Sequence, residues 1–248
     1  MKFVVTGATL KKALQWMSRA KAEDIEIRAG PVDEIVLSAL DPATVVYATA
    51  TINELLDADI TAPESIYVSL EQLYGIVKRV SGPAAVGIET VEDGRKLIIS
   101  TANARYGIQT ISPEAIRAIS EPARSGRRPL LLTGGEFFEM VTGAATVSDV
   151  LTLAHPEVDE AGTPKLVGRG GGGLAEFEYN VTAYRPEKAD DVGKGSYPLD
   201  YLSRLASVLK TTDQVRLVLG VDRPIHISAE LELGLDVTAL VAPRLRLE

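Results

Sequence analysis

Val4-Val5-Thr6-Gly7 runs directly into an amphipathic stretch, and Leu131-Leu132-Thr133-Gly134 does the same 127 residues later. Behind the first, Leu10, Ala13, Leu14 and Met17 recur at helical spacing and predict a helix over 9–21. Behind the second, the periodicity predicts a helix over 136–147. The 127-residue shift carries Leu10 onto Phe137, Leu14 onto Val141 and Met17 onto Ala144. Two more helices are expected at 70–80 and 199–210. A shift of 129 carries Leu70 onto Leu199, Leu73 onto Leu202, Ile76 onto Leu205 and Val80 onto Leu209. An offset this nearly constant marks two copies of one unit, each ordered strand–helix–strands–helix–strands.

The segments around the helices are rich in β-branched residues and bounded by Gly, Pro or Asp. In the first copy they fall at 2–6, 24–29, 34–40, 44–52, 65–69, 84–90, 96–101 and 106–111. In the second they fall at 129–132, 150–154, 165–168, 175–183, 214–220, 225–231 and 236–242. Asp93-Gly94 between two of them is a hairpin signal, because these residues tolerate the positive φ of a tight turn. Pro113, Pro122 and Pro129 punctuate a stretch with no strand period, which reads as a connector over 112–128; Ile116 and Ile119 imply that it packs on a surface. The expected division is therefore 1–111, a connector over 112–128, and 129–248, in the α+β class.

A chain of 248 residues with 46% hydrophobic content can bury one large core or two ordinary ones. No apolar run approaches a membrane span and no secretory pattern opens the chain, so a soluble, cytoplasmic protein without a membrane partner is expected. The absence of cysteine removes disulfides, thiolate metal sites and cysteine nucleophiles together. A net charge of −8 excludes a uniformly basic nucleic-acid coat. It leaves room for a local basic patch, since charges act on a phosphate mainly within a Debye length of ~8 Å.

The helix faces supply such patches. At 100° per residue, Lys12, Gln15 and Arg19 lie opposite the apolar stripe of the first helix, with Lys11 at its flank. On the second helix Gln72 and Arg79 face outward beside Lys78, and on the fourth Arg204 and Tyr201 do so, with Lys210 near the end. The third helix differs, since Glu139, Thr142 and Thr146 occupy its outer face.

Little in the chain calls for catalysis. His155 and His226 have no metal-ligand or nucleophile companion at motif spacing, and His226 alternates with Ile225 and Ile227 as on the outer face of a strand. Gly168-Arg-Gly-Gly-Gly-Gly173 invites a phosphate-loop reading, on which the chain would be a small nucleotide-binding enzyme. A phosphate loop, however, runs into a helix, and here Leu174-Ala-Glu-Phe-Glu-Tyr179 reads as a strand, so a flexible hairpin loop is expected. No metal and no cofactor is called for.

Several segments carry a family resemblance. Tyr201-Leu-Ser-Arg-Leu-Ala-Ser-Val-Leu-Lys210, Asp213-Gln-Val215, Asp222-Arg-Pro-Ile225 and Val241-Ala-Pro-Arg-Leu245 resemble the end of the proliferating-cell nuclear antigen (PCNA) family of DNA sliding clamps. Ala39-Leu-Asp-Pro-Ala-Thr-Val-Val46 is similar to that family's Met-Asp-x-x-x-Val segment. Gly135-Glu-Phe137 is similar to the start of its third helix, and Val147-Ser-Asp149 to the strand after that helix. The order and spacing cover essentially the whole chain, and the short tail is similar to archaeal members.

The resemblance implies two similar clamp-fold domains, with antiparallel sheets outside and two helices per domain lining a trimeric ring. It implies a processivity factor, not an enzyme, that encircles double-stranded DNA without regard to sequence and is nucleoid-associated. Lys11, Lys12, Gln15, Arg19, Lys78, Arg79, Arg204 and Lys210 would face the DNA. A pocket for partner peptides would draw on Leu40, Asp41, Val45, Tyr47, Ile116, Ile119, Pro122, Pro224, Leu240, Ala242 and Pro243. The implied partners are a clamp loader, DNA polymerase, flap nuclease and ligase, and two further clamp subunits, identical or sister chains. The third helix departs from the family's basic pattern, and the connector is less acidic than the family's.

Overall fold

Strand β1 (Lys2–Thr6) passes into helix α1 (Gly7–Arg19) through Thr6, whose hydroxyl accepts the Thr9 N–H at 3.2 Å and caps the helix. The same device recurs where β10 (Leu130–Leu132) passes into α3 (Gly134–Ala145). There Thr133 accepts the Glu136 N–H at 3.1 Å while Glu136 accepts the Thr133 N–H at 2.8 Å, a complete capping box. These details come from a computed structural model that describes residues 1–30, 34–60, 62–116, 129–158, 164–171, 175–181, 193–232 and 234–244, with only the backbone at 156–158 and 164–165.

The chain divides into two compact units. The first is Met1–Glu121 together with Glu230–Val237, and the second is Pro122–Ala229 together with Thr238–Glu248. After α1 the first unit continues through β2 (Asp24–Ala29), β3 (Ile35–Leu40), β4 (Val46–Ile52), β5 (Asp57–Asp59) and β6 (Glu64–Ser69). Then come α2 (Leu70–Val77), β7 (Ala85–Val91), β8 (Lys96–Ser100) and β9 (Arg105–Gln109). Its strands pair in the orders β5-β1-β7-β8-β9 and β4-β3-β2-β6, with antiparallel neighbours throughout.

After α3 the second unit continues through β11 (Val150–Val158), β12 (Pro164–Gly171), β13 (Glu176–Val181) and β14 (Gly193–Pro198). It then has α4 (Leu199–Leu209), β15 (Val215–Val218), β16 (Ile225–Glu232) and β17 (Leu235–Val241). The orders are β10-β15-β16-β17 and β13-β12-β11-β14. Leaving out β5, these repeat the first unit strand for strand. The repeat extends to single hydrogen bonds. Leu70 N–H donates to Glu23 O at 2.9 Å as Leu199 N–H donates to Asp149 O at 2.9 Å. Gly7 N–H donates to Ala84 O at 2.8 Å as Gly134 N–H donates to Thr212 O at 3.0 Å.

The expected stripes form the cores. Leu10, Ala13, Leu14 and Met17 are buried with Trp16 in the first unit, and Phe137, Met140, Val141 and Ala144 occupy the matching positions of α3. At roughly 1.5–3 kcal/mol for each large side chain withdrawn from water, these faces supply the main adhesion of helix to sheet. The β7–β8 hairpin turns on Glu92, Asp93 and Gly94, all at positive φ, as the Asp-Gly signal predicts.

Three expectations are corrected. Gly168–Gly171 is not a loop but the end of β12; Gly172 and Gly173 lie outside the described residues. A β-carbon at Gly168 would lie 2.6 Å from Met140 Sδ and one at Gly170 3.0 Å from Ala144 Cβ, so these glycines let α3 settle onto the sheet. Tyr201 does not face outward. It precedes Leu205 by one helical turn, shares the apolar stripe of α4, and is 9% exposed. Strands β5 and β14 are additions to the expected set. Gly193 and Gly195 lower strand propensity in β14, yet both are required there: side chains would strike Leu219 and the Tyr197 ring.

Candidate nucleic-acid interface

In the first unit α1 and α2 lie side by side on the sheets, leaving their outer faces to solvent. Lys12 and Arg19 are exposed and Gln15 is half-buried. Lys78 and Arg79, in the turn that ends α2, are exposed. Lys11 is half-buried because its ammonium donates to the Val80 carbonyl, where it satisfies an acceptor just past α2 and offsets the negative end of that helix. Lys12 is ion-paired with Glu232, which belongs to the hairpin tip grouped with this unit. Arg19, Lys78 and Arg79 have no side-chain partner among the described residues. Of the six positions expected here, all reach the surface at least in part, but only these three offer an uncommitted cation.

The second unit has a different electrostatic character. Arg204 is exposed on α4 and Lys210 just past its end, and the Lys210 ammonium sits 5.7 Å from the centre of the Phe138 ring of α3. Asp200 is exposed in the first turn of α4, and Glu139 is exposed on α3. Glu139 accepts from the Tyr179 hydroxyl at 3.2 Å; burial first, then this carboxylate, pushes the Tyr179 phenol above its ordinary value. Thr142 turns its hydroxyl back to the Phe138 carbonyl at 2.7 Å. The outer face of α3 is therefore acidic to neutral, as its sequence indicates.

The residues expected at a partner pocket are placed by separate devices in the two units. In the first, Asp41 is buried and its carboxylate accepts the N–H groups of Ala43 at 3.1 Å, Val45 at 2.6 Å and Val46 at 2.6 Å. This clamp holds a tight loop in which Thr44 takes positive φ, and it presents Leu40 and Val45 half-exposed while Tyr47 stays buried. Ile116 is half-buried just past a short 3-10 turn (Pro113–Ala115); Ile119 and Pro122 lie outside the described residues. In the second unit Leu240 is buried at 3% exposure, whereas Pro224, Ala242 and Pro243 differ. Ala242 and Pro243 are half-exposed, and Pro224 is half-exposed close in sequence to an exposed Val221.

Arg244 anchors the end of the second unit. Its N–H donates to Ser196 O at 2.7 Å and its guanidinium pairs with Asp149, whose carboxyl is held below the ordinary range by that hydrogen bond and charge. The Tyr197 hydroxyl donates to Arg223 O at 3.0 Å, and its phenol is pushed far up by burial and then by Asp222. His155 is buried in the second unit, and His226 is half-buried on the face of β16 opposite the buried Ile225 and Ile227, the alternation expected from the sequence. Among the described residues no three His, Asp or Glu side chains converge on a point suited to a metal, and no helix is long and apolar enough to cross a membrane.

A tandem pair of units, each with two helices on antiparallel sheets of the same strand order, defines the DNA-clamp class of fold. Over its full length the chain is homologous to archaeal DNA polymerase sliding clamps and carries the PCNA fold. It is 26% identical over 254 residues to the DNA polymerase sliding clamp of Methanothrix thermoacetophila, covering 100% of both chains. It is 26% identical over 255 residues to that of Halobacterium salinarum, covering 99% of this chain and 98% of the other. A. fulgidus PCNA, solved with the C-terminal region of FEN-1 bound, superposes with a TM-score of 0.86 at 21% identity, covering 100% of this chain and 99% of that one. PCNA from Thermococcus kodakaraensis gives a TM-score of 0.82 at 18% identity over 98% and 99%. No protein-family model matches the chain.

Proposed function

We propose that the chain is a DNA sliding clamp subunit: three subunits close a ring around duplex DNA, and the ring serves as processivity factor and docking platform for replication and repair proteins. The observation that carries this reading is the strand-for-strand duplication with cationic helix faces, in a chain homologous throughout to sliding clamps. Phosphate contacts from Arg19, Lys78, Arg79, Arg204 and Lys210, with Lys11, Lys12 and Gln15 beside them, position a duplex without reading its bases, as sliding requires. The function is topological and needs no catalytic group; the work at DNA is that of a nucleoid-associated scaffold.

Ring closure has its own support in the sheet edges. β9 ends one sheet of the first unit and β13 ends one sheet of the second, and each pairs with a single neighbour. Neither holds a proline, so each offers a row of backbone groups to another chain. Their exposed side chains are of opposite sign, with Arg105 on β9, loosely paired with Glu89 at 3.7 Å, and Glu176 and Glu178 on β13, of which Glu178 is paired with Arg169 at 3.0 Å. One copy's β9 therefore suits another copy's β13, and head-to-tail pairing of this kind forms a ring where the rotation from one subunit to the next closes. We propose identical chains on this ground, with sister chains of the same fold as the variant.

Partner proteins (clamp loader, DNA polymerase, flap nuclease and ligase) engage through short peptides at Leu40, Asp41, Val45 and Tyr47, the connector's Ile116, Ile119 and Pro122, and Pro224, Leu240, Ala242 and Pro243. Half-exposed apolar residues on a loop pinned by Asp41 support the first part of that site. The test of the whole reading is topological. Protein loaded on a nicked circular duplex is retained through gel filtration and lost when the circle is cut once. Equal retention on linear and circular DNA would contradict it.

A further inference from the structure

The ion pair between Lys12 and Glu232 has a role on the proposed DNA face. Lys12 is 46% exposed on α1, and Glu232 is 25% exposed at the end of β16. The tip that carries Glu232 is fixed within the first unit. Asn53 N–H donates to the Gly234 carbonyl at 2.8 Å, Asn53 Nδ2 donates to Asp236 at 3.0 Å, and Gly234 takes a φ of 74° with Glu54 packed against it. One carboxylate oxygen of Glu232 meets Lys12, and the other is buried with no hydrogen-bond partner among the described residues. The ammonium is thus the chief compensation for a half-buried carboxylate, and the two hold each other.

We infer that Glu232 is a built-in competitor for phosphate at Lys12: it cancels that lysine's charge and sets how loosely the first unit holds a duplex. This rests on the DNA-clamp reading above. A lysine already neutralised by a fixed carboxylate releases no counterion from DNA when a phosphate approaches, so it adds nothing to the salt-dependent part of binding. The first unit's grip then falls to Arg19, Lys78 and Arg79, whose side chains are uncommitted. Lys11 keeps its charge but is tethered to the Val80 carbonyl. A clamp that must slide gains from such restraint, because each additional tight phosphate contact is one more to break per step.

The test is fluorescence anisotropy of the full-length protein on a short linear duplex across a salt series, with Glu232→Gln, Lys12→Gln, the double variant and Arg79→Gln. Glu232→Gln is expected to bind on the order of tenfold tighter at low salt, with the slope of log K against log salt steeper by about 0.9 for each freed ammonium that meets a phosphate. Lys12→Gln should lower the thermal midpoint because the half-buried carboxylate loses its partner, and should abolish the gain when combined with Glu232→Gln. If Arg79→Gln weakens binding while Glu232→Gln leaves affinity and slope unchanged, the competitor role is wrong and the clamp reading stands. If no variant, wild type included, shows salt-dependent binding, both fail.

Discussion

A β-carbon on Gly134 would lie 1.8 Å from the carbonyl oxygen of Leu209, the last residue of α4. The first unit repeats the relationship more gently, with Gly7 placing a β-carbon 2.6 Å from the Ser81 carbonyl oxygen past the end of α2. The Thr-Gly pair that opens each copy thus has two separate physical tasks. Threonine caps the helix, and glycine lets the start of one helix touch the end of the other.

Gly134→Ala should therefore destabilise the protein by about 3 kcal/mol, since the obstructing atom is backbone and cannot rotate away. Gly7→Ala should cost less, about 1–2 kcal/mol. Equilibrium urea denaturation measures both, and an unchanged midpoint for Gly134→Ala would mean that the helix ends are not in contact. Thr133→Ala, which removes the capping box, should cost about 1 kcal/mol in the same assay.

Asp41 holds its loop by accepting three backbone N–H groups from a buried carboxylate. Asp41→Ala should cost about 3 kcal/mol, because those donors lose a charged acceptor. It should also abolish binding of a partner peptide at protein concentrations and temperatures where the variant is still folded. Normal peptide affinity with normal circular dichroism would remove the loop from the partner site.

Arg244 and Asp149 make a pH-dependent tie. The guanidinium lowers the Asp149 pKa from its ordinary 3.8. A depressed folded-state value means that the pair's contribution is fully present above the ordinary aspartate value and is lost as pH falls through the depressed one. In Arg244→Ala the Asp149 carboxyl resonance should titrate in the ordinary range, and the variant's stability should become less sensitive to acid below it. A titration unchanged by the substitution would show that another group holds the carboxylate.

The two units should contribute unequally to DNA. Arg79→Gln and Lys78→Gln should each flatten the salt dependence of duplex binding by about 0.9 in log–log slope. Glu139→Gln, which removes a carboxylate from α3 and leaves Tyr179 a partner, should tighten binding. Anisotropy on a short duplex separates these cases, and a larger loss from Lys210→Gln than from Arg79→Gln would reverse the assignment.

Much of this was legible in the residues because the repeat imposes two periods at once, 3.6 within helices and about 128 between copies. Leu10, Leu14 and Met17 could be matched to Phe137, Val141 and Ala144 without any identity between them, since burial constrains apolarity and not letters. What could not be read depends on contacts far apart in the chain. Gly193 and Gly195 look like loop residues until Leu219 and Tyr197 are placed against them. Gly168 and Gly170 look like a flexible run until Met140 and Ala144 come down from α3. The Lys12–Glu232 pair spans 220 residues and leaves no local signal. A helical wheel shows which way Lys12 points but not what waits there.

The central claim is that three copies of this chain close into a ring through β9 and β13. Multi-angle light scattering of the purified full-length chain tests it most directly. A mass near three times 26.5 kDa, falling toward that of the single chain when Arg105→Glu is introduced, is the predicted result. A wild-type chain that remains at 26.5 kDa at every concentration would contradict it.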